Sequence, residues 1–125
     1  MKIRTIIYFI LLAGLVGISG CKSENKELKK EAKTMADLMC KSIEAMNKLK
    51  SVDPADSAKV TILQLEYQNL QSEMAIQNDN FQVKYGAKTT SEEFNETFRN
   101  YLNESMLECK NLSKKDRETF ERGTK

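Results

Sequence analysis

The side chains of this sequence that are best suited to covalent chemistry are the thiols of three cysteines. They are Cys21, Cys40 and Cys109, and the chain of 125 residues contains no histidine. Histidine is the most common general base near neutral pH and the most common metal ligand. Without it there is no Ser-His-Asp or Cys-His arrangement, and widely spaced thiols alone make a poor zinc site. We therefore expect no catalytic residues, no metal site and no enzyme activity.

The residues before Cys21 have the layout of a secretory signal peptide. Lys2 and Arg4 provide a positive start, residues 6–16 are almost wholly apolar, and small residues then precede the cysteine. The apolar run is too short for a membrane span, which takes about 20 apolar residues. We assign residues 1–20 to a signal-peptide helix that is removed from the mature protein.

The end of this segment is more specific than its beginning. Ile18, Ser19, Gly20 and Cys21 resemble the bacterial lipobox, in which a branched apolar residue, a small residue and Gly or Ala precede a cysteine. The resemblance implies that diacylglycerol is attached to the Cys21 thiol and that cleavage before Cys21 frees an amino group for acylation. No other cofactor is expected. An ordinary signal peptide followed by a chance cysteine is the alternative.

The lipobox resemblance also implies a location in the cell envelope, with the protein held at a membrane by its acyl chains. Each buried CH₂ group contributes about 0.8 kcal/mol, so two or three chains anchor firmly. Lys22 differs from the Asp that retains some lipoproteins in the inner membrane, which favours the outer membrane if the host has one. We expect a flexible, charged tether over residues 21–27 and a folded domain over residues 28–125.

The net charge of the whole chain differs from the net charge of the segment that is predicted to fold. Lys and Arg number 20 and Asp and Glu number 18, which gives a formal net charge of +2. Lys2 and Arg4 account for this excess, so residues 21–125 carry no net charge. A neutral domain lacks the basic excess of a nucleic-acid binder, and we expect no nucleic-acid partner.

The mature segment predicts an all-α fold, a three-helix up-down-up bundle with a possible short fourth helix at the C-terminus. Apolar residues recur every three or four positions over residues 26–50, which predicts the first helix. Asp53 is the predicted N-cap and Pro54 the first residue of a long second helix. We expect that helix to end at Gly86, although Phe81, Val83 and Tyr85 also alternate as they would in a strand.

The third helix is predicted to begin at Thr90, which forms a capping box with Glu93. Its apolar side is predicted to extend as far as Leu112. Ser113 is then the predicted cap of a short helix that reaches Arg122.

Cys40 and Cys109 are candidates for a disulfide, because an exported protein meets an oxidising compartment. The first and third helices of an up-down-up bundle run in the same direction. Counting the rise per residue places Cys40 about 15 Å and Cys109 about 19 Å below the top of the bundle. We therefore predict a Cys40–Cys109 disulfide, with two free buried thiols as the alternative.

These features favour a non-enzymatic lipoprotein whose bundle binds an envelope or secreted protein. Residues 64–82 include five Gln and three Asn, and a neutral polar face costs less to desolvate than a charged one. The alternative is a protein that holds an apolar small molecule between its helices. That alternative predicts a cavity lined by Met39, Met46, Leu70, Met74 and Phe98.

Overall fold

The structure is a computed structural model, and it describes the side chains of residues 24–123. Four α-helices and one short 3₁₀ turn make up the fold: α1 Lys2–Ser51, α2 Ser57–Tyr85, the 3₁₀ turn Gly86–Lys88, α3 Glu92–Leu107 and α4 Lys114–Gly123. Within the described residues there is no strand, so the predicted all-α bundle is confirmed. The predicted signal peptide and the predicted lipobox residues Ile18 to Cys21 lie outside the residues whose side chains are described.

The connection between α1 and α2 differs from its prediction. Asp53 and Pro54 form a separate turn, in which the Asp56 amide donates to the Asp53 carbonyl over 3.0 Å. The Asp53 carboxylate accepts a hydrogen bond from the Ala55 amide at 2.9 Å. The N-cap of α2 is Asp56, whose carboxylate accepts from the Lys59 amide at 3.2 Å. Asp followed by Pro suits the start of a turn as well as the start of a helix, which is why the predicted cap was wrong.

The boundary between α2 and α3 is partly as predicted. α2 ends at Tyr85 with Gly86 as its C-cap, and it stays helical through Val83, so the strand alternative is wrong. The N-cap of α3 is Ser91 rather than Thr90, because the Ser91 hydroxyl accepts from the Phe94 amide at 3.3 Å. Thr90 instead donates its hydroxyl to the Ala87 carbonyl.

The fourth helix is present and is held against the end of α3. Ser113 caps it as predicted, accepting a hydrogen bond from the Asp116 amide at 3.1 Å. α3 stops at Leu107, earlier than expected, and the Arg117 guanidinium donates to the carbonyls of Leu107 and Cys109 at 2.7 and 2.9 Å. These carbonyls lie at the helix end, where backbone acceptors lack helical partners. Arg117 therefore fixes the direction in which α4 leaves α3.

An aromatic core fills one end of the bundle, where α1, α2 and α3 meet. Phe81 lies at its centre, with ring centroids 4.5 Å from Phe98, 5.0 Å from Tyr85 and 6.4 Å from Phe94. Leu28 of α1 covers these rings and is almost fully buried. Tilted aromatic pairs at such separations stabilise a core beyond their buried area.

The same end carries ion pairs between α1 and the end of α2. Lys84 contacts Glu27 at 3.3 Å and Glu31 at 3.4 Å, and Lys88 pairs with Glu24. Residues 24–27 are therefore part of α1, although we expected them to belong to the flexible tether. These ion pairs connect residues 24–31 of α1 to the end of α2 and to the 3₁₀ turn that follows it.

Candidate functional site

The Cys40–Cys109 disulfide is present, which confirms the prediction made from helix heights. The sulfur atoms are 1.98 Å apart and the Cα atoms 5.7 Å apart. The bond joins Cys40 of α1 to Cys109, which is the second residue after the end of α3. The loop that it closes contains the whole of α2. Cys109 is buried, and the Asn111 amide contacts Cys40 Sγ at 3.9 Å. The disulfide is therefore a structural link between α1 and the end of α3, the first and third of the three long helices.

A salt bridge lies on the surface beside the disulfide. Lys33 Nζ is 3.2 Å from Glu108, which directly precedes Cys109, and 3.8 Å from Asp37. The hydrogen bond to Glu108 is the main cause that raises the pKa of Lys33 above its ordinary value. Hydrogen bonding to Glu44 raises the pKa of Lys48 in the same way, and hydrogen bonding to Glu27 that of Lys84. All three amines favour the protonated, paired form.

Polar residues interrupt the apolar stripes of α1 and α2. Each of them forms a hydrogen bond with a side chain of the other helix. Gln77 donates to Glu31 at 2.6 Å, and buried Ser42 donates to the Met74 sulfur at 3.3 Å. A buried polar group that keeps a partner avoids most of its desolvation cost. These pairs fix the alignment of α1 with α2.

α2 carries apolar residues on two opposite faces. Its inner face packs on α1 and, near Phe81, on α3, and it consists of Val60, Leu63, Tyr67, Leu70, Met74, Gln77 and Phe81. Its outer face points to solvent and consists of Ile62, Leu65, Asn69, Ser72, Ile76, Asp79 and Val83. The apolar members of the outer face are exposed to an unusual degree: Ile62 65%, Leu65 54%, Ile76 61% and Val83 89%. Aligned exposed apolar side chains of this kind mark interaction surfaces.

Sequence reasoning missed this outer face. It noted the Gln and Asn content of α2, but it followed a single apolar stripe. The available signal was a second three-four spacing, offset from the first by two residues, which places it on the opposite side of a helix.

The residues proposed for an apolar cavity do not line a common space. Met46 lines a surface groove of about 480 Å³ with Tyr67, Leu112 and Asp116 among its walls. Met74 accepts a hydrogen bond from Ser42, and Phe98 packs on Phe81. The other grooves described between the helices include none of the five proposed residues.

The carboxylates that cluster at the start of α3 are solvent-exposed. Glu92 and Glu93 lie in the first turn of α3, and Glu96 follows one turn later. Carboxylates at that position interact favourably with the positive end of the helix dipole. Among residues 24–123, no cluster of three or more His, Cys, Asp or Glu side chains could hold a metal ion.

Over the described part of the chain, no helix combines the length and the apolar character needed to cross a bilayer. Comparisons of the chain with protein-family models, with curated proteins and with solved structures found no match.

Proposed function

We propose that this chain is a lipid-anchored lipoprotein of the cell envelope whose helical bundle binds a protein partner and carries out no catalysis. The anchor is acylated Cys21, and the outer membrane is its location if the host has one. The partner is an envelope or secreted protein.

The observation that carries the binding part of this proposal is the outer face of α2. Ile62, Leu65, Ile76 and Val83 are large, apolar and more than half exposed. Each exposes apolar area to water. Burial of that area against a partner would favour binding by about 25 cal/mol per Å². The neighbouring exposed residues of α2 are mostly neutral, which lowers the cost of removing water from the surface.

The anchoring part rests on the sequence of the first 21 residues. Replacement of the proposed lipidated residue, Cys21→Ser, should abolish incorporation of a labelled fatty acid and release the protein from the membrane fraction. Cys40 and Cys109 are joined in a disulfide, so they offer no free thiol for acylation. Unchanged fatty-acid labelling of the Cys21→Ser protein contradicts this part.

The binding part is tested by a photo-reactive amino acid placed in the full chain, expressed in its own host. A probe at Ile62 lies on the outer face, and a probe at Gln71 lies on another exposed side of the same helix. We expect protein adducts at Ile62 that are at least about tenfold more abundant than at Gln71, because a factor of ten corresponds to only ~1.4 kcal/mol of preference. Equal or absent adducts at the two positions contradict protein binding by this face.

A further inference from the structure

The outer face of α2 has the spacing of a coiled-coil surface. Its seven residues, from Ile62 to Val83, are separated by three and four positions alternately, which is a repeat of 3.5. All seven are exposed. In heptad notation, a is occupied by Ile62, Asn69, Ile76 and Val83, and d by Leu65, Ser72 and Asp79.

The residue types at these positions specify the kind of partner. Three of the four a positions are β-branched, and Leu65 occupies d. β-branched residues at a with Leu at d favour two parallel strands. A single Asn at a, here Asn69, pairs with another Asn across the interface and fixes both the register and the number of strands. A parallel helix with the same sequence supplies the matching β-branched residues and the matching Asn at a, and Leu at the first d position.

The charges beside the outer face also distinguish the two possible orientations. In a parallel pair, each g residue faces the following e residue of the other helix. Glu66 then faces Thr61 and Glu73 faces Gln68, so no like charges meet. In an antiparallel pair centred on α2, Glu66 faces Glu73 of the other copy, which is repulsive. The parallel pair has one unfavourable contact, between the two Asp79 side chains.

We propose that the outer face of α2 is a self-association surface, on which the α2 helices of two copies of this chain pack side by side in parallel. This inference rests on the proposed function, because it names the occupant of the surface assigned there to protein binding. A parallel pair places the Glu24 ends of both α1 helices on the same side. Both lipid anchors then enter one membrane.

Because α2 is already folded, its pairing with a second copy requires no new helix formation. An isolated helix pays for nucleation when it associates, whereas α2 is already held as a helix by its inner face. The outer face extends about 32 Å from Ile62 to Val83, at 1.5 Å per residue. One contact between single helices buries less than the ~1,200–2,000 Å² of a standard interface. The association is therefore weak in dilute solution and strengthened by confinement of both copies to a membrane.

Cysteine cross-linking tests both the pairing and its orientation. The full lipidated chain is placed in phosphatidylethanolamine–phosphatidylglycerol vesicles and treated with a mild oxidant. We expect Asn69→Cys to form at least about ten times more disulfide-linked dimer than Gln71→Cys, because a disulfide needs Cα atoms within roughly 7 Å. Equal yields overturn the proposal. A cross-link that forms only when Asn69→Cys and Ser72→Cys proteins are mixed shows antiparallel pairing and overturns it as well.

Three further variants keep the test independent of folding. Ile76→Glu places a charge in the interface and should raise the dissociation constant in vesicles about tenfold or more, since ~1.4 kcal/mol corresponds to that factor. Gln71→Glu adds the same charge on another exposed side and should leave the dissociation constant unchanged. Asp79→Asn removes the one repulsive contact and should tighten association. An Ile76→Glu protein that dimerises like wild type overturns the proposal.

The mass of the photo-adduct at Ile62 separates this inference from the proposed function. An adduct with twice the mass of the chain supports the second copy as occupant. Adducts that contain only a different protein overturn the self-association and leave the binding function in place. Absence of adducts contradicts both.

Discussion

The inner and outer faces of α2 both carry large apolar side chains, and they differ in what covers them. Ile62 and Leu63 are neighbours in sequence, yet Leu63 is 8% exposed and Ile62 is 65% exposed. Phe81 is buried while Val83, half a turn away, is almost fully exposed. The inner face has α1 and the aromatic core to pack on, and the outer face has solvent. Apolar character alone therefore does not define the core, because burial depends on which neighbouring helix exists to cover each face.

Truncation of one large residue on each face measures how differently the two faces are buried. Phe81→Ala empties the centre of the aromatic core and should lower the free energy of unfolding by about 4 kcal/mol. Ile76→Ala removes an exposed side chain and should change it by less than about 0.5 kcal/mol. Urea unfolding of dilute protein, followed by circular dichroism, measures both. Equal losses would mean that the outer face is buried in the dilute protein too.

The disulfide gives the second largest effect, since its loop of 69 residues encloses all of α2. Replacing both partners, Cys40→Ala with Cys109→Ala, should lower the free energy of unfolding by about 3 kcal/mol, within the roughly 2–4 kcal/mol that is typical of a disulfide. Wild-type protein unfolded under reducing conditions serves as the control and should match the double variant. A loss in the double variant without a matching loss on reduction would point to altered packing instead.

Much of the fold follows from the sequence because long amphipathic helices leave clear periodic signals. The end of α1, the end of α2 at Gly86 and the Ser113 cap were all predicted, and so was the disulfide. The errors lie at helix starts and at the end of α3. Asp53 and Asp56 are both good caps, as are Thr90 and Ser91, and the structure uses Asp56 and Ser91. Local residue types cannot make that choice, because each member of a pair satisfies the helix end equally well.

The candidate surface was harder to predict than the fold. A search for one apolar stripe assigns Leu63 and Phe81 to the core and treats Ile62 and Val83 as incidental. The spacing places the two sets on opposite sides of α2, but only the position of α1 shows which set is covered. The role of Arg117 was also missed, since its acceptors are backbone carbonyls, which sequence patterns do not reveal.

Tyr85 of the aromatic core lies one turn beyond Phe81, at the end of the inner face of α2. Tyr85 is 3% exposed, and its hydroxyl has no hydrogen-bond partner among the described residues. A buried hydroxyl without a partner costs about 1–3 kcal/mol. Tyr85→Phe should therefore raise the free energy of unfolding by about 1 kcal/mol. Tyr67→Phe, at a half-buried position of the same face, is the matched control. A loss of stability in Tyr85→Phe would show that the hydroxyl is hydrogen-bonded in solution.

The smallest expected effect comes from Lys84, which lies at the edge of the inner face and ties α2 to α1. Hydrogen bonding to Glu27 raises the pKa of Lys84 in the folded protein, so the folded state binds this proton more tightly than the unfolded state. The resulting stabilisation is present below the ordinary lysine pKa of about 10.4 and is lost as the pH rises through the higher folded value. The melting temperature of wild type should therefore fall more between about pH 9 and about pH 11.5 than that of Lys84→Met. Lys59→Met, which removes an exposed lysine from the first turn of α2, should retain the wild-type fall. The same fall in Lys84→Met and wild type would show that this ion pair contributes nothing to the contact between the inner face and α1.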